Sequence, residues 1–187
     1  GYADCEDQPW GCDLSCYDND AGDCDDGGGV SIMIGGSTGN PGESVEVPLF
    51  YESSESIGGI QFTIEDSPDW LVSVNLVASD DDCFEASFNE INGSLIGILF
   101  SLAGCELDPS DSASHFSTII YEVSSEASWG SEIELSFSDA IISDGVGNAL
   151  PVTTQGGVIS VSLLGDVSLD SEINVLDVVT LISYVLY

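Results

Sequence analysis

Not one lysine or arginine occurs among the 187 residues, against 34 aspartates and glutamates, and the formal net charge is −34. An average soluble domain carries both signs, so on the order of 20 basic residues would be expected in a chain of this length. Their absence excludes every side-chain salt bridge except one through His115, the single histidine. It excludes nucleic acid as a partner, because nothing is present to meet phosphate. It excludes an anionic membrane surface for the same reason. Self-repulsion opposes the compact state, so positive charge has to come from outside, as salt or bound cations. Trypsin-like proteases find no residue to cut after. Long hydrophobic runs are missing as well: none reaches the roughly 18 residues of a membrane span. No signal peptide stands at the front, and Gly1 reads as a mature end left by processing.

What is present is a 43% apolar content, enough for a buried core, and six cysteines. Cys5, Cys12, Cys16 and Cys24 crowd into a segment too poor in apolar residues to fold without staples. Two disulfides are expected there, in any of three connectivities. Cys83 and Cys105 then pair with each other. The spacings do not suit zinc, since C-x-x-C pairs and ligand histidines are lacking. An oxidising, extracellular setting follows, either secreted or at a cell surface.

The chain divides into three zones. Residues 1–29 form a Cys- and Asp-rich arm that ends in the flexible "DDGGG". Residues 30–163 run in short stretches of alternating apolar and polar residues. Strands are predicted at 30–34, 44–50, 59–65, 70–77, 94–102, 117–123, 132–138 and 156–164, with turn formers such as "GGSTGNPGE" and "SDGVGNALP" between them. Many short strands without helices between them indicate an antiparallel β-sandwich. Val45, Val47, Leu49, Ile60, Phe62, Ile64, Trp70 and Val72 are its expected core. Residues 164–187 change period: from Val175 on, Leu176, Val179, Ile182 and Val185 recur at helical spacing. This β-branched helix must draw stability from packing or from a bound ion rather than from propensity.

The stretch before that helix carries the chemistry. A calcium loop of the EF-hand kind supplies oxygens at positions 1, 3, 5, 7, 9 and 12. With Asp166 at position 1, the others are Ser168, Asp170, Glu172 through its backbone carbonyl, Asn174 and Asp177. Ile173 at position 8 is expected to point inward. Ser171 stands where such loops have Gly, and Asp177 is shorter than the customary Glu. A plain acidic turn with Asn174 capping the helix is the simpler reading; six spaced oxygens leading straight into a helix favour calcium. A second calcium is conceivable in the arm, at Asp18, Asp20 and Asp23.

"GDVSLDSEINVLDVVTLISYVL" resembles one repeat of a dockerin, the calcium-binding docking module of cellulosome-type assemblies, with Asp166, Ser168, Asp170, Asn174 and Asp177 on the family's ligand pattern. Residues 30–163 resemble a cohesin, the dockerin's receptor, through "GNPGESVEVPLFY", "GIQFTIEDSPDWLVSV" and "LPVTTQGGVISV". The resemblance implies an all-β, nine-stranded jelly-roll sandwich that offers one sheet face to a dockerin helix. Dockerins normally carry two repeats, and this chain ends after one. Plug and socket in one chain imply either a heterologous contact between copies, which builds an open filament unless it closes into a ring, or a plug folded back onto its own socket as a capped monomer, and the short "VSLL" linker favours the first. The expected function is therefore a non-catalytic, calcium-dependent extracellular subunit that joins copies of itself head to tail. An adaptor binding a different cohesin- or dockerin-bearing protein is the alternative. A carbohydrate-binding module that stacks sugars on Trp10, Trp70 or Trp129 is a third reading. Enzyme readings are poor, because 34 carboxylates make chance pairs inevitable and His115, expected in a surface loop, has no nucleophile beside it. Asn92 of "NGS" is a glycosylation acceptor where the host has the machinery.

Overall fold

A computed structural model describes residues 29–79, 83–162, 165–168 and 172–186. Cys5, Cys12, Cys16, Cys24, Asp18, Asp20 and Asp23 of the expected arm sites, Asp170 of the expected loop, and Trp10 lie outside the described residues.

Alternation of burial follows from alternation of residue type. In β3 (Ser44–Ser53) the odd-numbered Val45, Val47, Leu49 and Tyr51 are buried, while Glu46 faces out. In β4 (Gly59–Ser67) the same holds for Ile60, Phe62 and Ile64. Strand side chains alternate between faces, so each strand gives one apolar row to a shared interior. Twelve segments build two sheets: β1 (Val30–Ile34), β2 (Ser37–Gly39), β3, β4, β5 (Leu71–Ala78), β6 (Glu85–Ile91), β7 (Ser94–Phe100), β8 (Ser110–Val123), β9 (Glu132–Ser143), β10 (Ala149–Leu150), β11 (Val152–Gln155) and β12 (Gly157–Val161). One sheet runs β11-β1-β3-β8-β5. The other runs β2-β12-β9-β4-β7-β6, with β10 beside β9. The core between them includes Ile32, Leu49, Phe62, Phe116, Ile119, Ile133, Ile142 and Ile159, all at most 1% exposed. Each such side chain contributes about 1.5–3 kcal/mol of burial free energy.

The nine runs of the expected jelly roll are present, but the first and last are broken where the chain changes sheets. β1 and β2 part at Gly35 and Gly36; β11 and β12 part at Gly156. The crossings are too tight for a side chain: a Cβ on Gly156 would sit 2.4 Å from the Leu135 carbonyl oxygen, and one on Gly157 2.7 Å from that of Ile34. The same switch gives two parallel pairings, β1 with β11 and β12 with β2, in an otherwise antiparallel sandwich.

Four expectations change. Val72 is 55% exposed rather than core, because it pairs with Glu122 on the outer face and leaves the inward place to Leu71. Trp70 is only partly buried against the core. His115 lies within β8, not in a loop, because that strand begins at Ser110. β6 was not foreseen; its "EASFNEI" alternation is polar and weak. Cys83 and Cys105 do form a disulfide, tying the loop before β6 to the loop after β7. The helix α1 spans Val175–Leu186, and no described helix is long and apolar enough to cross a membrane.

Candidate functional site

The outer face of the second sheet is built by the register of β6, β7, β4 and β9. Its outward residues fall into rows: Glu85–Phe100–Gly59–Ser143, then Ser87–Ile98–Gln61–Ile141, then Asn89–Ile96–Thr63–Asp139. Carboxylates occupy only two opposite corners of this field, Glu85 and Asp139. Ile98 and Ile141 are 39% and 53% exposed on either side of Gln61. Beside them opens a hollow of about 270 Å³, bordered by Gly58, Gly59, Phe100 and Ser143. Gly58 at its edge has no room for a side chain, since a Cβ there would collide with the Asp144 carbonyl oxygen at 2.6 Å. A readable signal existed: "LIGILF" in β7 is apolar at both parities, so Leu95 and Leu99 face the core while Ile96, Ile98 and Phe100 face outward. A strand that is apolar on both faces is one expected to be covered on both.

The tail forms the other half of the candidate site. Asp177 is only 4% exposed, although it belongs to an otherwise open segment. Its Oδ2 accepts the Asn174 amide at 2.7 Å and its Oδ1 the Ser168 amide at 2.9 Å. These hydrogen bonds, the Asn174 amide first, hold its carboxyl down at about pKa 2, because they favour the charged form. The Ser168 hydroxyl donates to Asp166 Oδ1 at 3.2 Å, and the Asn174 carboxamide lies 3.5 Å from the Glu172 carbonyl oxygen. Asn174 Oδ1 also accepts the Leu176 amide at 2.7 Å, which caps α1.

Positions 1, 3, 7, 9 and 12 of the expected loop are thus gathered around one turn. The donors are all oxygens, the chemistry that a hard cation such as calcium takes. Among the described residues no three Asp, Glu, His or Cys side chains converge as a metal cluster; Asp170 is outside that set. Ile173 is a correction: it is 61% exposed and lies over Gly165, 3.6 Å from where a Cβ would be, rather than pointing inward. Gly165 takes a φ of +102° there.

The helix that follows is apolar and open. Leu176, Val179, Ile182 and Val185 are 49–77% exposed, as are Val178, Leu181 and Leu186. Its single carboxylate is the engaged Asp177, so residues 178–186 present an uncharged surface.

The comparisons concern the sandwich. No curated protein sequence matches the chain. Among solved structures, a cohesin bound to a dockerin in the Coh-OlpA-Doc918 complex from Clostridium thermocellum is 22% identical, with TM-score 0.58 over 71% of this chain and 99% of that one. The sixth cohesin of scaffoldin B from Acetivibrio cellulolyticus, in complex with a Cel5 dockerin variant, is 21% identical, with TM-score 0.58 over 72% and 99%. A non-cellulosomal cohesin from the archaeon Archaeoglobus fulgidus is 14% identical, with TM-score 0.59 over 75% and 96%. At these identities the likeness is one of fold. The family profile described as the cohesin domain, a protein-interaction module, matches residues 30–161. Its match stops before the loop that leads into α1 and before α1 itself. The chain therefore belongs to the cohesin family.

Proposed function

We propose that the protein is an extracellular structural subunit that assembles head to tail, with α1 of one copy seated on the β6-β7-β4-β9 face of the next. The observation that carries this reading is charge. In a chain of net charge −34, copies repel wherever carboxylates meet. The apolar side chains of α1 and the field around Ile98, Gln61 and Ile141 are two exposed surfaces that can meet without that repulsion. Together they bury apolar area on both sides, which is the main favourable term in association. The contact is heterologous, so repetition yields an open filament.

Residues 165–186 act here as a single dockerin-type repeat. Asp166, Ser168, Asp170, the Glu172 carbonyl, Asn174 and Asp177 would hold calcium, which supplies positive charge to a chain that has none and fixes the loop leading into α1. Solved cohesins described in complex with dockerins support a contact between a cohesin and a dockerin-type segment. They also favour a second reading, in which the partner is a separate dockerin-bearing protein and this chain is an adaptor. Sedimentation and electron microscopy of the pure protein, with calcium and then with chelator, decide between them. Calcium-dependent filaments support self-assembly. A monomer under both conditions excludes it and leaves the adaptor. Isothermal titration of the double variant Asp166→Ala, Asp177→Ala tests the ion separately: undiminished calcium uptake at the tail would remove the loop from the proposal.

A further inference from the structure

The β6–β7 hairpin turns at Asn92 and Gly93, both at positive φ (53° and 81°), the pairing that two-residue hairpin loops prefer. The third residue, Ser94, opens β7 opposite Ile91, so the turn brings the sequence Asn-Gly-Ser to a tip. The middle residue is dictated by the fold: a Cβ on Gly93 would lie 3.0 Å from the Asp69 carboxylate. Turn geometry accounts for Asn92 and Gly93, but it makes no use of Ser94. Among the described residues neither the Asn92 carboxamide nor the Ser94 hydroxyl makes a hydrogen bond, and Asn92 is exposed.

We propose that Asn92 is an N-glycosylation site. Asn-x-Ser with x other than Pro is the acceptor pattern for this modification, and it requires a surface position in an exported chain. The Cys83–Cys105 disulfide fits export. In the reaction the Asn92 Nδ2 attacks the anomeric carbon of a lipid-linked oligosaccharide. The C–N bond forms as the sugar–phosphate C–O bond breaks. The electron pair leaves with the lipid phosphate, and the amide proton passes to the membrane transferase's base. A glycan here stands beyond the third row of the candidate docking face: Ser94 is four residues from Ile98, about 13 Å along the strand. It flanks that face without covering its centre. The proposal is independent of self-assembly.

Glutamate-specific cleavage of the reduced, secreted protein releases residues 91–106, in which Asn92 is the sole asparagine. Mass spectrometry of this peptide from the protein's own cells is expected to find added hexose or N-acetylhexosamine. Asn92→Gln and Ser94→Ala, secreted from the same cells, are expected to lose the added mass, and Ser94→Thr to keep it. An unmodified Asn92, an Asn92 converted to Asp without sugar, or sugar that survives in Ser94→Ala would each overturn the assignment.

Discussion

The two outer faces of the sandwich are made by the same rule of alternation and differ most at their centres, although Glu65, Glu132 and Glu134 stand exposed toward one end of the second face. On the β3–β8 side the outward rows carry Glu46 and Glu52 from β3 and Glu122 from β8, with Val72 and Val77 on the β5 edge. On the β4–β7 side the central positions are Gly59, Gln61, Thr63, Ile96, Ile98 and Phe100. A chain this acidic places carboxylates on nearly any surface that water will cover. The patch around Ile98, Gln61 and Ile141 is one from which they are withheld. The comparison teaches that in a one-signed chain, missing charge singles out a candidate contact surface more clearly than apolar content does.

The largest effect is expected from breaking that asymmetry directly. Ile98→Asp puts a carboxylate at the centre of the neutral face, where a docked helix would bury it at a cost of several kcal/mol. Calcium-dependent assembly should disappear in sedimentation, while the melting temperature hardly moves. The matching change on the other face, Val77→Asp, should leave assembly intact. If both variants assemble alike, the comparison fails. Next comes the floor of the face. A Cβ on Gly97 would meet the Phe62 ring at 2.5 Å, so Gly97→Ala should cost about 1–3 kcal/mol by overpacking, read by thermal or denaturant melting. That cost would tie the docking surface to the core beneath it.

A third test leaves both faces alone and probes where β4 hands the chain across to β5. Asp66 Oδ2 accepts the Trp70 and Leu71 amides at 2.8 and 3.1 Å, yet burial pushes its carboxyl above the usual range. A raised folded-state pKa means that folding disfavours the ionised form. Its contribution to stability therefore improves as pH falls through that raised value and levels off below the unfolded value of about 4. Asp66→Asn keeps an acceptor and removes the charge, so it should match or exceed wild type at pH 7 and lose this part of the acid-side gain. Asp66→Ala orphans two amides and should cost about 1–3 kcal/mol. Denaturation curves at several pH values check both. The smallest effect belongs to His115, whose Nε2 lies 2.9 Å from the Thr118 hydroxyl on the exposed charged face. His115→Gln should shift stability by less than about 0.5 kcal/mol and leave assembly unchanged.

Much of the fold was legible because strand alternation is a local signal. β1 was read to the residue, and the starts of β3, β4, β7 and β9 were correct, since Val, Ile and Phe repeat there at period two. β6 was missed because its inward residues, Ala86, Phe88 and Glu90, include a charge and a small side chain. Its strand state comes from the hairpin pairing with β7, which alternation within β6 alone does not signal. Val72 was misjudged because "WLVSV" is apolar at adjacent positions, and only the register with β8 decides which side faces in. In the tail, helical spacing and the Asn174 cap were legible, but spacing could not foresee that Ile173 stays in the open over Gly165. The candidate docking face was the least legible part. It depends on bringing together β7, β4 and β9, which are distant in sequence, although the doubly apolar β7 carried the hint.

The last strand of the sandwich has a mechanical consequence. β12 is not an edge: it lies between β9 and β2, and beyond it Ser162 still donates to the Gly39 carbonyl oxygen at 3.1 Å. Tension drawn out through Val161 would run along β12, against an antiparallel ladder to β9 whose hydrogen bonds lie transverse to the pull and a parallel ladder to β2 whose bonds are slanted. Such bonds yield together in shear rather than one at a time. Through the kink at Gly156 the remaining load passes to β11 and β1, so both sheets resist a single tug on the end of the chain.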